Sequence, residues 1–163
     1  MSYLINTLKR YCKGNSIKEK VRVILTNRGF QSVAIYRISN LLYKRKLGFI
    51  SMVLTRINQI LYSIDIDYKA EIGEGLVIFH GMGLVIGHGV KIGKNCTLFH
   101  NTTFGLKFSK NDSGFPTIGH GCLIGTGSIV LGSVMIKDNS KISAGSILKK
   151  GSKNEKNTNS KIS

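Results

Sequence analysis

From Ile66 to Leu148 the chain sets an aliphatic or aromatic residue at nearly every sixth position, a period that few folds can use. Ile66, Ile72, Ile78 and Leu84 are six apart; after a two-residue slip Ile86, Ile92, Leu98 and Phe104 resume the count. After a long interruption Ile118, Ile124, Val130, Ile136, Ile142 and Leu148 complete it. Neither the 3.6-residue helix nor the two-residue strand alternation repeats at six with one large residue per unit. A triangular coil does: it turns a corner every six residues and points one large side chain inward per side. Gly73, Gly87, Gly93, Gly119 and Gly125 follow the aliphatic position and ease the tight backbone, while Val90, Cys96, Thr102, Cys122, Ser128, Val134, Ser140 and Ser146 hold the fifth place. Eighteen such residues close one coil, and coils stack about 4.8 Å apart, as strands do in any sheet. The fold class expected is mainly β, a parallel β-helix.

Residues 1–62 lack this count and read as helices. "SIKE", Ser16 to Glu19, has the Ser-x-x-Glu form of a capping box, and the helix it opens near Ile17 is expected to end near Asn27–Gly29, with Gly29 turning left-handed. Ala34, Ile35, Ile38, Leu41 and Leu42 form a second apolar stripe, ended by Lys44, Arg45 and Lys46. Phe49, Ile50, Val53, Leu54, Ile57, Ile60 and Leu61 form a third. Such stripes are expected to pack on each other or on a neighbouring subunit, membrane contact being the other use of an amphipathic helix.

The expected organisation is a basic helical lobe over 1–62, a β-helix over 63–148 with a loop projecting at 105–117, and a basic, disordered tail over 149–163. The formal charge of +16 is uneven: residues 1–62 carry 12 Lys or Arg against the single acid Glu19, residues 63–148 seven against six, and residues 149–163 five against one. A basic flank suits nucleic acid, anionic lipid, an anionic polymer or a merely solvated face. No nucleic-acid-binding motif accompanies it, so no nucleic-acid partner is expected; peripheral contact with an anionic membrane and a solvated face both stay open. Three cysteines without CxxC spacing fit neither a disulfide framework nor a zinc knuckle, and Cys96 and Cys122 read as small buried side chains. With no signal-peptide pattern and no apolar run near the roughly 20 residues of a membrane span, a cytoplasmic protein is expected.

His80, His88, His100 and His120 all take the third place of their hexads, an outward corner. His80 and His100 are 20 apart, one coil plus the slip, and are expected to stack on one edge; no metal is expected, because close His-x4-His spacing is absent.

These residues carry a resemblance. The hexapeptide series resembles the left-handed parallel β-helix acyltransferases, and "IDIDYKAEIGEGLVIFHGMGLVIG" looks like the segment bearing the catalytic histidine in serine acetyltransferases and their exopolysaccharide O-acetyltransferase relatives. The resemblance runs from about Ile64 to Leu148 and implies a homotrimer using acetyl-CoA. It makes His80 the general base, drawing the proton from an acceptor hydroxyl that attacks the thioester, and Asp65 the carboxylate that orients the imidazole. It assigns the acetyl-CoA slot, between two subunits, to Gly105 and Leu106 and to backbone near Gly125, Thr126, Ala144 and Gly145.

Departures from the serine acetyltransferase pattern shape the acceptor expectation. Phe79 stands where that family carries Asp, and Gly114 and Phe115 stand where it carries Arg-His; a phenylalanine grips neither an ammonium nor a carboxylate. The family's Gly/Val-Pro-Ala segment has no counterpart after Leu148, so either the basic tail replaces it or cofactor affinity is reduced. Phe79 and Phe115 are therefore expected to bind the acceptor as aromatic faces. The function expected is an acetyl-CoA-dependent O-acetyltransferase acting on a sugar hydroxyl in capsule, exopolysaccharide or O-antigen synthesis. The alternatives are serine O-acetyltransferase and a non-catalytic β-helix scaffold.

Overall fold

The computed structural model describes residues 2–12, 14–107 and 113–149; the tail beyond Lys149 and the tip of the projecting loop lie outside the described residues. Among the described residues four helices, α1 (Ser2–Tyr11), α2 (Ile17–Thr26), α3 (Arg28–Lys44) and α4 (Gly48–Tyr62), precede thirteen short strands. The strands form three parallel sheets in which every third strand is a neighbour. The first contains β1 (Ile64–Ile66), β4 (Leu84–Ile86), β7 (Thr103–Gly105), β10 (Ile129–Leu131) and β13 (Ile147–Lys149). The second contains β2 (Glu71–Ile72), β5 (Lys91–Ile92), β8 (Thr117–Ile118) and β11 (Met135–Ile136). The third contains β3 (Val77–Phe79), β6 (Thr97–Phe99), β9 (Leu123–Ile124) and β12 (Lys141–Ile142). This is the expected parallel β-helix, and the inward residues of the six-residue count are buried in one continuous core. The fifth-place residues Val90, Cys96, Thr102, Cys122 and Ser128 are buried with them; Thr102 and Ser128 bond Phe99 O and Gly125 O across their own corners, at 2.9 and 2.7 Å. The neighbouring Cys122 thiol, with burial, pushes the Cys96 thiol up, as suits an unreactive core side chain.

Register corrects the position of the slip. Ile118 pairs with Ile136, a step of 18 residues, but Ile64 pairs with Leu84 and Ile66 with Ile86, a step of 20. Leu84 is thus the fifth-place residue ahead of Ile86, not the fourth inward residue of its series, and the two additional residues sit earlier, in the corner 80–83. Both readings bury Leu84, which is why periodicity alone misplaces the slip. The projecting loop makes the other irregular step, from Ile92 to Ile118, and an isolated antiparallel bridge between Lys107 and Gly114 joins its two sides.

A β-helix leaves a row of unpaired backbone groups at each end, a template for unwanted strand pairing. Here α1 and α3 cover the first coil with polar side chains. Tyr36 donates to Ala70 O at 2.6 Å, Arg37 to Ile72 O and Gly73 O, and Arg10 to Gly75 O. The Tyr11 hydroxyl accepts from Ile78 N at 2.6 Å and donates to Ile78 O at 3.3 Å. Burial pushes the Tyr36 hydroxyl up to about 12, so it remains a donor at neutral pH. Gly29 belongs to this contact rather than to a helix end: it lies inside α3, and a Cβ there would come within 2.2 Å of Ile78 O. Asn27, not Gly29, separates the helices, capping α3 through a bond from Phe30 N at 2.9 Å. Ser16 flanks α2 but makes no side-chain capping bond, so the capping box is not formed.

Arg37→Ala removes the forked donor from two edge carbonyls. At about 1.5 kcal/mol or more per bond to a charged group it is expected to cost about 3 kcal/mol, lowering Tm by roughly 6–12 °C in a chain of this size. Arg37→Lys should recover only part of the loss in a thermal melt, because an ammonium lacks the planar fork.

Candidate active site

The corner that follows β3 is built around its two additional residues. His80, Gly81 and Gly83 all have left-handed backbone, with φ of 64°, 66° and 71°. At Gly81 a side chain is excluded, since a Cβ would lie 2.4 Å from Ile64 Cδ1. Gly83 N donates to Ser63 O at 2.9 Å, so the end of the first coil closes against its own beginning, where β1 carries Asp65. This places the His80 corner beside the start of β1. Asp65 is half-buried and His80 exposed; among the described residues the two form no ion pair or hydrogen bond with each other.

In-register stacking aligns the ends of the third sheet into a column. Phe79 pairs with Phe99, and their rings stack at 5.2 Å and 26°. One residue on, the His80 ring meets His100 edge-on at 5.8 Å, the stacking expected from their spacing. His100 is half-buried and its Nδ1 is buried without a partner among the described residues. The column continues through Thr126, whose Oγ1 donates to His100 O at 3.0 Å, and Gly145, whose N donates to Thr126 O at 2.8 Å. A cleft of about 350 Å³ opens on this edge, lined by Phe99, Leu123, Gly125, Thr126, Lys141, Ile142, Ser143 and Ala144. Three of the residues assigned to acetyl-CoA, Gly125, Thr126 and Ala144, therefore share one cleft, and Gly145 adjoins it.

Phe99, Lys141 and Ser143 also line the cleft and were not singled out from sequence. The 20-residue step that relates His80 to His100 relates Phe79 to Phe99 as well, and would have identified the first. The other assigned residues lie elsewhere in the chain. Gly105 ends β7, in a different sheet, in register with Leu131, and Leu106 follows it. Phe115 packs against His88, ring centroids 4.3 Å apart, and lies over Gly89, where a Cβ would meet its ring at 2.2 Å. Phe79 and Phe115 thus occupy different corners and do not meet within one chain. His120 serves the coil backbone: its Nδ1 accepts from Lys94 N at 2.9 Å, and its own N donates to Asp138 Oδ1 at 2.7 Å. Among the described residues no three His, Cys, Asp or Glu side chains converge as a metal site. A larger cavity of about 730 Å³ lies between α1, α3 and the second sheet, on a different face from the histidine column.

The family model described as bacterial transferase hexapeptide (six repeats) matches residues 115–150. Over 126 residues, 77% of this chain and 58% of the relative, the sequence is 40% identical to a serine acetyltransferase of Bacillus subtilis (strain 168). Over 131 residues it is 34% identical to a serine acetyltransferase of Helicobacter pylori (strain ATCC 700392 / 26695), covering 80% of this chain and 77% of the relative. A crystal structure of serine acetyltransferase from Brucella abortus strain S19 in complex with coenzyme A superposes with a TM-score of 0.78 at 27% identity, over 90% of this chain and 61% of that one. The chain spans only 58–60% of the length of the three Bacillus relatives it matches.

These relatives overturn the expectation of a sugar acceptor in capsule, exopolysaccharide or O-antigen synthesis, because they are named serine acetyltransferases. The aromatic residues that prompted it have a packing explanation: Phe79 continues a stacked pair between coils, and Phe115 covers a glycine corner beside His88. The parallel β-helix, the His80 corner and the extent of similarity to the Helicobacter pylori protein make this chain a member of the serine acetyltransferase family.

Proposed function

We propose that this chain is an acetyl-CoA-dependent O-acetyltransferase that acetylates the hydroxyl of L-serine. The observation that carries the reading is the column on the third sheet: the His80 corner stands on the same edge as the cleft of Gly125, Thr126 and Ala144, one coil step from Phe99 and His100. A thioester arm laid along that cleft would bring its carbonyl toward His80. The cleft volume falls at the lower end of the range for small-ligand pockets, as suits one arm of a long cofactor.

In this reading His80 takes the proton from the serine hydroxyl while the oxygen attacks the thioester carbonyl. The C–S bond then breaks, the thiolate of CoA receives the proton, and O-acetylserine leaves. Asp65 orients the imidazole and stabilises its charged form through a hydrogen bond completed when substrate is bound; catalytic hydrogen bonds commonly tighten only then. Gly105, Leu106 and Phe115 enter through a second protomer of a homotrimer. That arrangement rests on the resemblance and on the distribution of the assigned residues over separate corners of one chain.

Phe79 leaves the ammonium of serine without an anionic partner, so weak serine binding is expected. Phe79→Asp should lower the KM for serine about tenfold, roughly 1.4 kcal/mol, with kcat little changed. The reading is tested by following free thiol from acetyl-CoA with L-serine, simple hexoses and N-acetylated sugars in parallel. Serine-dependent release supports it, and release with a sugar alone removes it.

A further inference from the structure

The helix α4 is built inside out. Its inward side is Ser51 and Asn58, at 0% and 1% exposure, with Thr55 and Gln59 half-buried beside them. Its outward side is Phe49 at 75%, Ile60 at 73%, and Met52, Val53, Ile57 and Leu61, all exposed. At 3.6 residues per turn these outward positions form one continuous half of the helix surface, interrupted only by Arg56. The inward half is knit to α3 by polar bonds: Ser39 Oγ donates to Ser51 O at 2.7 Å, and Ser51 Oγ to Ser39 O at 2.8 Å. Asn58 is buried there with neither side-chain atom partnered among the described residues. Small and polar residues between helices with apolar residues outside is the packing used against lipid, and the reverse of a helix surrounded by water. The third apolar stripe of the sequence, for which packing on other elements, a neighbouring subunit and a membrane were all open, is largely uncovered by the chain's own elements.

We infer that this face docks on the surface of an anionic phospholipid bilayer. Fifteen residues give a helix about 22 Å long, and no described helix is long and apolar enough to cross a membrane, so α4 would lie along the interface with its apolar half in the headgroup boundary. The charge selects the occupant. Lys44, Arg45 and Lys46 are exposed at the turn entering α4, Arg56 sits on the apolar half itself, and the first 62 residues hold one acid. A second copy docked face to face would oppose these cations to their own likeness, whereas an anionic surface neutralises them. α2 adds an exposed apolar stripe, Ile17, Val21, Ile24 and Leu25, interleaved with Lys18 and Arg22.

The test is sedimentation of the full chain with vesicles of phosphatidylcholine alone or in equal parts with phosphatidylglycerol. Neither reading nor outcome depends on acetyl transfer. The wild type should partition onto the anionic vesicles, and less so at high salt. A Phe49→Ser, Ile60→Ser double variant, folded by circular dichroism, should bind at least about tenfold more weakly. Lys44→Glu, Arg45→Glu, Lys46→Glu together should bind about a hundredfold more weakly. Wild type that stays in the supernatant with anionic vesicles, or binding that both variants retain in full, overturns the inference. So does a lobe-dependent oligomer, seen by light scattering and broken by Phe49→Ser, in a protein that binds no vesicles.

Discussion

His80→Asn is expected to reduce kcat for acetyl transfer by about 10²–10⁴-fold, the usual worth of a positioned general base. Asn is the informative replacement because the backbone here has φ of 64°, a left-handed conformation that Asn tolerates better than Ala. The His80 side chain is exposed, and its ring contact is the edge-on one to His100, so the coil core loses nothing and Tm should stay close to wild type. Steady-state thiol release and a thermal melt on the same preparation separate the two effects. A variant that turns over at the wild-type rate removes His80 from the chemistry, and with it the proposed mechanism.

A large effect on the fold is expected at Gly93. It stands in a column with Gly73 and Gly119 where successive coils approach backbone to backbone. A Cβ at Gly93 would lie 2.6 Å from both Gly119 C and Gly119 O and 2.7 Å from His120 N. None of those atoms belongs to a side chain that can rotate away, and the next coil is fixed by Gly93 N donating to Ile118 O at 2.8 Å. Gly93→Val must therefore pry the second and third coils apart, at a cost of about 3 kcal/mol or more. That corresponds to a loss of roughly 6–12 °C in Tm. Gly48→Ala is the control, since a Cβ there meets nothing within 4 Å, and it should melt with the wild type. If Gly93→Val melts with the wild type too, the coils are not stacked as closely as described.

Much of the coil was legible in the sequence because each six-residue side is a local unit: Ile92, Ile118 and Ile136 declare their inward direction without reference to one another. What required the structure was the pairing between units. Leu84 satisfies the count in two registers, so the additional residues of the His80 corner were read as following it. The acceptor was misread for a related reason. Phe79 next to a candidate base suggested an apolar acceptor face; the relatives' names overturn the sugar, and in register the ring also stacks on Phe99. In the helical lobe the stripes alone do not say what covers them: α3 and α4 meet through Ser39, Ser51 and Asn58, which leaves the outward stripe of α4 to a neighbouring subunit or a membrane surface. Asp65 was named through the resemblance alone, and its bond to His80 is assigned to the substrate-bound state.

The central claim is that the histidine corner transfers acetyl from CoA to serine, and product analysis measures it directly. Acetyl-CoA and L-serine are incubated with the full chain, and O-acetylserine is quantified by mass spectrometry beside free CoA thiol. The account predicts one O-acetylserine per thiol released, with both falling together in His80→Asn. Thiol release without O-acetylserine, or O-acetylserine formed equally well by His80→Asn, would contradict it.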